Sequence, residues 1–354
     1  MFLVDNTGKI IEVANTEFYV DANGKYAELL PASFYVDENG KYAELVGGSP
    51  FAARRLVVVT ESQGVFYSDD GVEWNNKTGG AFISATTTGE RIYATRLNVV
   101  NPIQYSLDGE TWTATTQTNE YSHTGDLTIA YFEELNYFYA SGKKWDVYTR
   151  QVFYSTNGGE TWGATDTMPS SYYSPPEPMV YDTVNKIIFA VARSGFYKAK
   201  VIPGTIPAFS YLQAHANSPN LRALATLNGT TISFKKYGGP QVVYTKDGET
   251  VTVGNMVSSG DSVNNESACA IAGNDKFVYV YEGNPYYSSD GLNWSKGNAP
   301  SDMGSNPTGL AFDGKCFYFV STAGKVFYSV DGITWTALYN FNKTLNRCSI
   351  SYLT

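Results

Sequence analysis

The pattern Tyr-Ser/Thr-x-Asp-Gly-x-x-Trp recurs along this chain at a nearly constant interval, and a repeat of that kind restricts the fold more than any single motif does. Aligned on the tyrosine, it stands at Tyr67 ("VFYSDDGVEW"), Tyr105 ("IQYSLDGETW"), Tyr154 ("VFYSTNGGETW"), Tyr244 ("VVYTKDGETV"), Tyr287 ("PYYSSDGLNW") and Tyr328 ("VFYSVDGITW"). The gap between Tyr154 and Tyr244 is doubled. Tyr197 in "GFYKAKV" restores the interval there with the turn motif lost, so the spacings become 38, 49, 43, 47, 43 and 41 residues and the units number seven.

Each unit reads as four short strands separated by Gly, Asp or Asn turns, with no helical period. In the second unit they are residues 82–86, 91–96, 103–106 and 111–115. Four strands repeated at this length are the pattern of a β-propeller blade, so the fold predicted for residues 50–354 is an all-β, seven-bladed propeller. The first unit starts at "RRLVVVT" and holds three strands, whereas the chain closes on a spare one, Arg347 to Leu353. That strand is expected to become the innermost strand of the first blade, because joining the ends removes the open edges of an unclosed array.

Within the turn, the side chains of Asp70, Asp108, Asn157, Asp247, Asp290 and Asp331 are placed to accept hydrogen bonds from their own backbone amides, and glycine supplies the positive φ of a tight reversal. Five of the six tryptophans, Trp74, Trp112, Trp162, Trp294 and Trp335, share the position that follows. A constant place for so large a ring is the mark of packing, with each indole wedged against a neighbouring strand or blade. The string resembles the Asp-box, or bacterial neuraminidase repeat, of sialidases, sortilin-type receptors, some glycoside hydrolases and photosystem assembly propellers. The resemblance spans about residues 54–354 and implies a fold, since one fold hosts many sites.

Ahead of the propeller, residues 1–49 carry a second repeat of sixteen residues: "FLVDNTGKIIEV", "FYVDANGKYAEL" and "FYVDENGKYAEL". Asn23-Gly24 and Asn39-Gly40 predict two-residue hairpin turns, with Thr7-Gly8 as a weaker version. Pairing outward from Asn23-Gly24 sets Val20 opposite Ala27 and Phe18 opposite Leu29 on one face. Isolated hairpins are marginal in water, so this array is expected to oligomerise or to anchor on a host protein, with "VGGSP" as a flexible joint. In composition, hairpins of this kind before a Tyr-, Gly-, Ser- and Asn-rich β domain resemble the attachment end of a bacteriophage tail-fibre or head-fibre protein. That resemblance implies a virion component made in the bacterial cytoplasm, with other virion proteins as partners of residues 1–49.

Bulk properties exclude several classes. A net charge of −9 provides no basic field for nucleic acid. No apolar run approaches a membrane span, and no basic-apolar secretion signal opens the sequence. Cys269, Cys316 and Cys348 lack metal spacing and read as reduced core residues, and His123 and His215 lie far apart in loops, so no metal, cofactor or Ser-His chemistry is expected.

Sialidase-type chemistry, which the Asp-box resemblance raises, requires an arginine triad, a tyrosine nucleophile and two acids. None of the eight arginines stands in the Phe/Tyr-Arg-Ile-Pro setting of that family, and seven units differ from its six. The sequence therefore reads as non-enzymatic. Binding is expected on the face carrying the joins between blades and between second and third strands, where Trp145, Asp146 and Tyr148 are candidates for a glycan and Tyr172 and Tyr173 line a long join. Two other readings stay open: a glycoside hydrolase or lyase acting on surface polysaccharide, and a purely structural docking module.

Overall fold

The seven-unit reading has a direct counterpart in the computed structural model. The structure describes six short strands among residues 1–53. From residue 54 onward it describes everything except residues 98, 100, 118–127, 144–149, 167–177, 193–194, 203–204, 206–207, 215–220, 236–240, 256–267, 282, 302 and 304–306. The chain divides into two compact units, Met1–Ala53 and Arg54–Thr354.

In the first unit, three separate two-stranded sheets form: Phe2–Val4 with Ile10–Glu12, Phe18–Val20 with Tyr26–Glu28, and Phe34–Val36 with Tyr42–Glu44. Their register corrects the two-residue turns expected from Asn-Gly. Phe18 pairs with Glu28, Tyr19 with Ala27 and Val20 with Tyr26, one residue away from the expected partners, and the other two hairpins carry the same offset. Five residues separate Val20 from Tyr26, an odd number, whereas a two-residue turn requires an even one.

The second unit is a seven-bladed β-propeller of seven sheets, each built on four antiparallel strands that are consecutive in sequence in every blade but the first. The inner strands of blades 2 to 7 are Phe82–Thr87, Thr128–Phe132, Met179–Asp182, Leu221–Leu227, Ala268–Gly273 and Pro307–Phe312. Blade 1 runs outward as Cys348–Leu353, Arg55–Thr60, Val65–Ser68 and Asn75–Lys77, so the last strand of the chain is its inner strand. Six residue pairs, from Cys348 with Thr60 to Leu353 with Arg55, tie the two ends of the domain. Each inner strand packs beside the next, and Pro307–Phe312 beside Cys348–Leu353 closes the ring. At the rim, the chain leaving blade 2 adds Thr116–Gln117 in parallel to the outer strand of blade 3, and Asn298 bridges to Thr334 between blades 6 and 7 in the same sense.

The second strands are buried on both faces, as in Phe317–Ser321, and read as unbroken apolar runs; outer strands such as Asn75–Lys77 are exposed. The helical element among the described residues is one 3-10 turn, Glu133–Leu135. Cys316 and Cys348 are free and buried.

A buried ionic group reinforces the closure. Arg54, at the start of the domain, is ion-paired with Asp313, in the first turn of blade 7, and donates from Nη1 to the Asp313 carbonyl at 2.7 Å. Asp313 also accepts from the amides of Lys315 (2.8 Å) and Cys316 (2.7 Å) and from the Tyr318 hydroxyl (2.9 Å). Burial pushes its carboxyl up, and Arg54 with these donors outweighs burial and holds it below the usual carboxylate range.

Two outcomes follow from the latch. Deleting residues 348–354 abolishes the single cooperative melting transition in calorimetry, whereas Ile350→Ala, at a site 3% exposed, keeps the transition and costs about 2–5 kcal/mol in denaturant titration. Arg54→Met leaves Asp313 buried without its cation and destabilises by about 3 kcal/mol.

Candidate functional site

A propeller has two faces, and the strand order assigns every turn to one of them. The reversals between first and second and between third and fourth strands open on one side, called the turn face. The joins between second and third strands and between blades open on the other, the loop face.

On the turn face the repeat's acids are committed to the backbone. In blade 1, Asp70 Oδ1 accepts from the amides of Val72 and Glu73, both at 2.8 Å, and from the Ser68 hydroxyl at 3.0 Å; Ser68 Oγ accepts in turn from the Gly71 amide. The same set recurs around Asp108, Asp247, Asp290 and Asp331. In blade 3 an additional glycine lengthens the turn, and Asn157 Oδ1 takes the place of the carboxylate by accepting from the Thr161 amide at 3.1 Å.

The backbone amides of Glu73 and Val72 hold the Asp70 carboxyl below its ordinary value. At Asp331 partial burial works upward, and the amides of Thr334 and Ile333 outweigh it, so that carboxyl too is held low. Such groups stay ionised and have no proton to donate.

The tryptophans pack on the preceding blade. Trp74 lies against Tyr339 and Phe341 of blade 7, with ring centroids 5.8 and 5.2 Å apart. Trp112 packs with Val57 and Val59 of blade 1, Trp162 with Tyr93 and Ile103 of blade 2, Trp294 with Phe234 of blade 5, and Trp335 with Val278 and Val280 of blade 6. Three of the indoles, Trp74, Trp162 and Trp294, donate Nε1–H to the carbonyl of the box glycine at 3.0 Å.

Arg54, Asp313 and Tyr318 bring together residue types that sialidase-type chemistry uses, on the turn face. Burial, and next the charge of Asp313, push the Tyr318 phenol far up. A phenol that keeps its proton is the reverse of an activated nucleophile, so this group is a structural clamp.

On the loop face, a cleft of about 490 Å³ opens where blades 7, 1 and 2 meet. Blade 1 contributes Ser62 and Gln63 from its second join. The outer strand of blade 1 contributes Asn76, the passage to blade 2 contributes Thr78, Gly79 and Gly80, blade 2 contributes Arg96, and the last join contributes Lys343. The segments are fixed by backbone bonds: Arg96 N–H to Pro102 O and Leu97 N–H to Ala81 O at 2.7 Å each, and Leu345 N–H to Thr322 O at 2.7 Å. Asn76 Nδ2 donates to the Gln63 carbonyl at 3.1 Å, which turns its amide oxygen loose as an acceptor. Among the described residues lining the cleft there is no carboxylate and no aromatic ring.

A second cleft, about 590 Å³, opens on the turn face between blades 4 and 5, where the turn motif is missing from blade 4. Lys198 there donates to the Gly248 carbonyl at 3.0 Å and pairs with Glu249, while Asp247 is held in its own turn. Its two acids therefore already have partners.

The glycan candidates Trp145, Asp146 and Tyr148, together with Tyr172 and Tyr173, lie outside the described residues, as do His123 and His215. The sequence reading missed Arg96, Lys343, Gln63 and Asn76. Gln63 and Lys343 sit in short joins and Asn76 and Arg96 in strands that end beside them, and only the ring closure brings the last join beside the first two blades.

These geometries define a seven-bladed propeller with a loop-face cleft, and solved structures of that class are similar to it. One is YCF48 bound to a D1 peptide, 16% identical, TM-score 0.50, matching 80% of this chain and 83% of that one. Another is the Pseudomonas aeruginosa periplasmic gluconolactonase PpgL, 9% identical, TM-score 0.57, over 85% and 99%. A putative 6-phosphogluconolactonase from Bacteroides fragilis is 9% identical, TM-score 0.55, over 86% and 98%. At these identities the likeness is one of fold alone. No protein-family model matches the chain, and no curated protein matches it.

Asp331→Ala removes an acceptor for two amides and one hydroxyl and lowers stability by about 1–2 kcal/mol, whereas Asp331→Asn keeps an acceptor, as Asn157 does, and costs less. Because the folded carboxyl is depressed, its contribution is present above the unfolded value of about 4 and disappears as pH falls through the lower folded one. Melting temperature therefore drops as pH goes from about 5 to about 2, and Asp331→Asn drops less steeply.

Proposed function

We propose that this chain is a non-enzymatic structural protein of a virion, a tail or head fibre or decoration protein. Residues 1–49 attach it to the particle, and its propeller is displayed for contact with a host-surface glycan or protein. One observation carries the non-enzymatic part. The acids that the repeat supplies are bound to backbone amides, and the loop-face cleft is lined by amides, hydroxyls and cations with no acid among its described residues. Hydrolysis of a glycosidic bond by two carboxylates has no pair to use there.

The attachment part is supported by the hairpin array. Three two-stranded sheets, each with three pairs, have too little apolar surface to stand alone and gain stability only against a partner, either identical chains or particle proteins. A propeller whose ends are latched by its own last strand needs no such help.

A docking module is the second reading, favoured by exposed apolar side chains on blade 4: Val184 at 62%, Ile202 at 55% and Tyr211 at 36%. YCF48, a propeller of similar fold, is seen bound to a peptide.

Antibody raised against the propeller should label purified particles at a fixed position in electron microscopy, and chain lacking residues 1–49 should stay in the lysate, folded and unincorporated. Full-length chain found only in the soluble pool, or release of sugars from host polysaccharide by the pure protein, would overturn the reading.

A further inference from the structure

Both cations of the loop-face cleft are held by aromatic faces and have no carboxylate partner among the described residues. The Arg96 guanidinium stands over the ring of Phe82, 6 Å or less from it at 5.9 Å, and Lys343 Nζ stands over Phe66 at 5.5 Å. Each ring is itself buried: Phe82 is 2% exposed and tilted against Trp112, and Phe66 is 4% exposed against Phe341. A ring face orients a cation and uses none of its hydrogen-bond donors. Among the described residues, neither Arg96 nor Lys343 makes an ion pair. In a chain of net charge −9, two cations without an ion pair among the described residues, lining one cleft, are against the general balance of the molecule.

Around them the lining is made of neutral polar and small groups. Gln63, Asn76, Ser62 and Thr78 supply amides and hydroxyls. Gly79 and Gly80 have φ of 104° and 89°, and a Cβ at Gly79 would meet nothing within 4 Å, so the backbone there is open to an incoming group. With no ring in the lining, a neutral sugar finds no face to stack on. An oxyanion finds a planar fork of N–H donors from arginine, a point charge from lysine, and amide neighbours for the hydroxyls beside it.

We infer that this cleft, formed where blades 7, 1 and 2 meet, binds an oxyanion, carboxylate or phosphoryl, carried on a sugar or polyol polymer of a cell surface. The inference rests on the proposed display role and names the ligand class. It is distinct in its failure: a chain incorporated in particles that ignores polyanions keeps the display role and loses this site.

The test is calorimetry of the full-length protein against polygalacturonate, poly(glycerol phosphate) and neutral dextran. Binding to at least one of the two polyanions is expected, weakening as salt is raised from about 0.05 to 0.5 M, with dextran inert. The first polymer reports a carboxylate ligand and the second a phosphoryl one. Arg96→Gln with Lys343→Gln keeps part of each stem on its ring and should weaken binding about tenfold or more. Thr78→Glu, at an exposed position, should do the same by placing a carboxylate in the cleft, and it covers the case in which the double variant melts early. Equal binding to dextran, no binding to either polyanion, or polyanion binding unaffected by these substitutions in a folded protein would each overturn the inference.

Discussion

The contact on which the ring depends is the approach of each turn's glycine to the blade before it. At Gly109, φ is 75°, and a Cβ there would lie 2.8 Å from Val57 Cγ2 of blade 1; at Gly248, φ is 69°, and a Cβ would lie 2.2 Å from Ile187 Cδ1 of blade 4. Only glycine satisfies both the dihedral and the space. The aspartate beside it holds the reversal in the one shape that lets the glycine press inward, and the tryptophan three residues on fills the wedge between sheets. Three residues of one short string thus set the turn, the interblade distance and the interblade packing together. That is why the string is repeated.

Blade 4 lacks the string, and its rim is built differently. Its third strand, Gly195–Lys200, runs into a longer segment before Ser210–Ala214, and no box tryptophan follows. On the side toward blade 5, Lys198 crosses to the Gly248 carbonyl and to Glu249, and Asn185 donates to the Gly229 and Lys246 carbonyls. Side-chain bonds at the rim stand beside the Gly248 contact, and the longer segment leaves the 590 Å³ cleft.

How much of this was legible in the sequence depends on whether the information was local or required closure. The turn chemistry is local, so the spacing of Tyr67 through Tyr328 was enough to number the blades, and the spare strand at Arg347 to Leu353 was enough to place the latch. Hairpin register is local as well but degenerate, because Asn-Gly serves reversals of more than one length; the five residues between Val20 and Tyr26 exclude the two-residue one. The cleft is a different case. Lys343 is separated from Gln63 by almost the whole domain in sequence, and they become neighbours only because the last strand pairs with Arg55–Thr60. Attention to long aromatic loops could not find a site assembled from short joins and strand ends.

The same closure explains why the ligand-facing cations belong at this seam. All seven junctions between blades are crossed by chain running from an outer strand to the next inner strand; at the one between blades 7 and 1 the segment from Phe341 to Arg347 leads into the strand that completes blade 1. That segment is pinned at Phe341 N–H to Gly324 O and at Leu345 N–H to Thr322 O, with Lys343 between the two ties. Its path is dictated by the need to return to the axis, so its side chains are held on the loop face by the fold. A charge placed there inherits the rigidity of the latch, which is the condition a preorganised binding group requires.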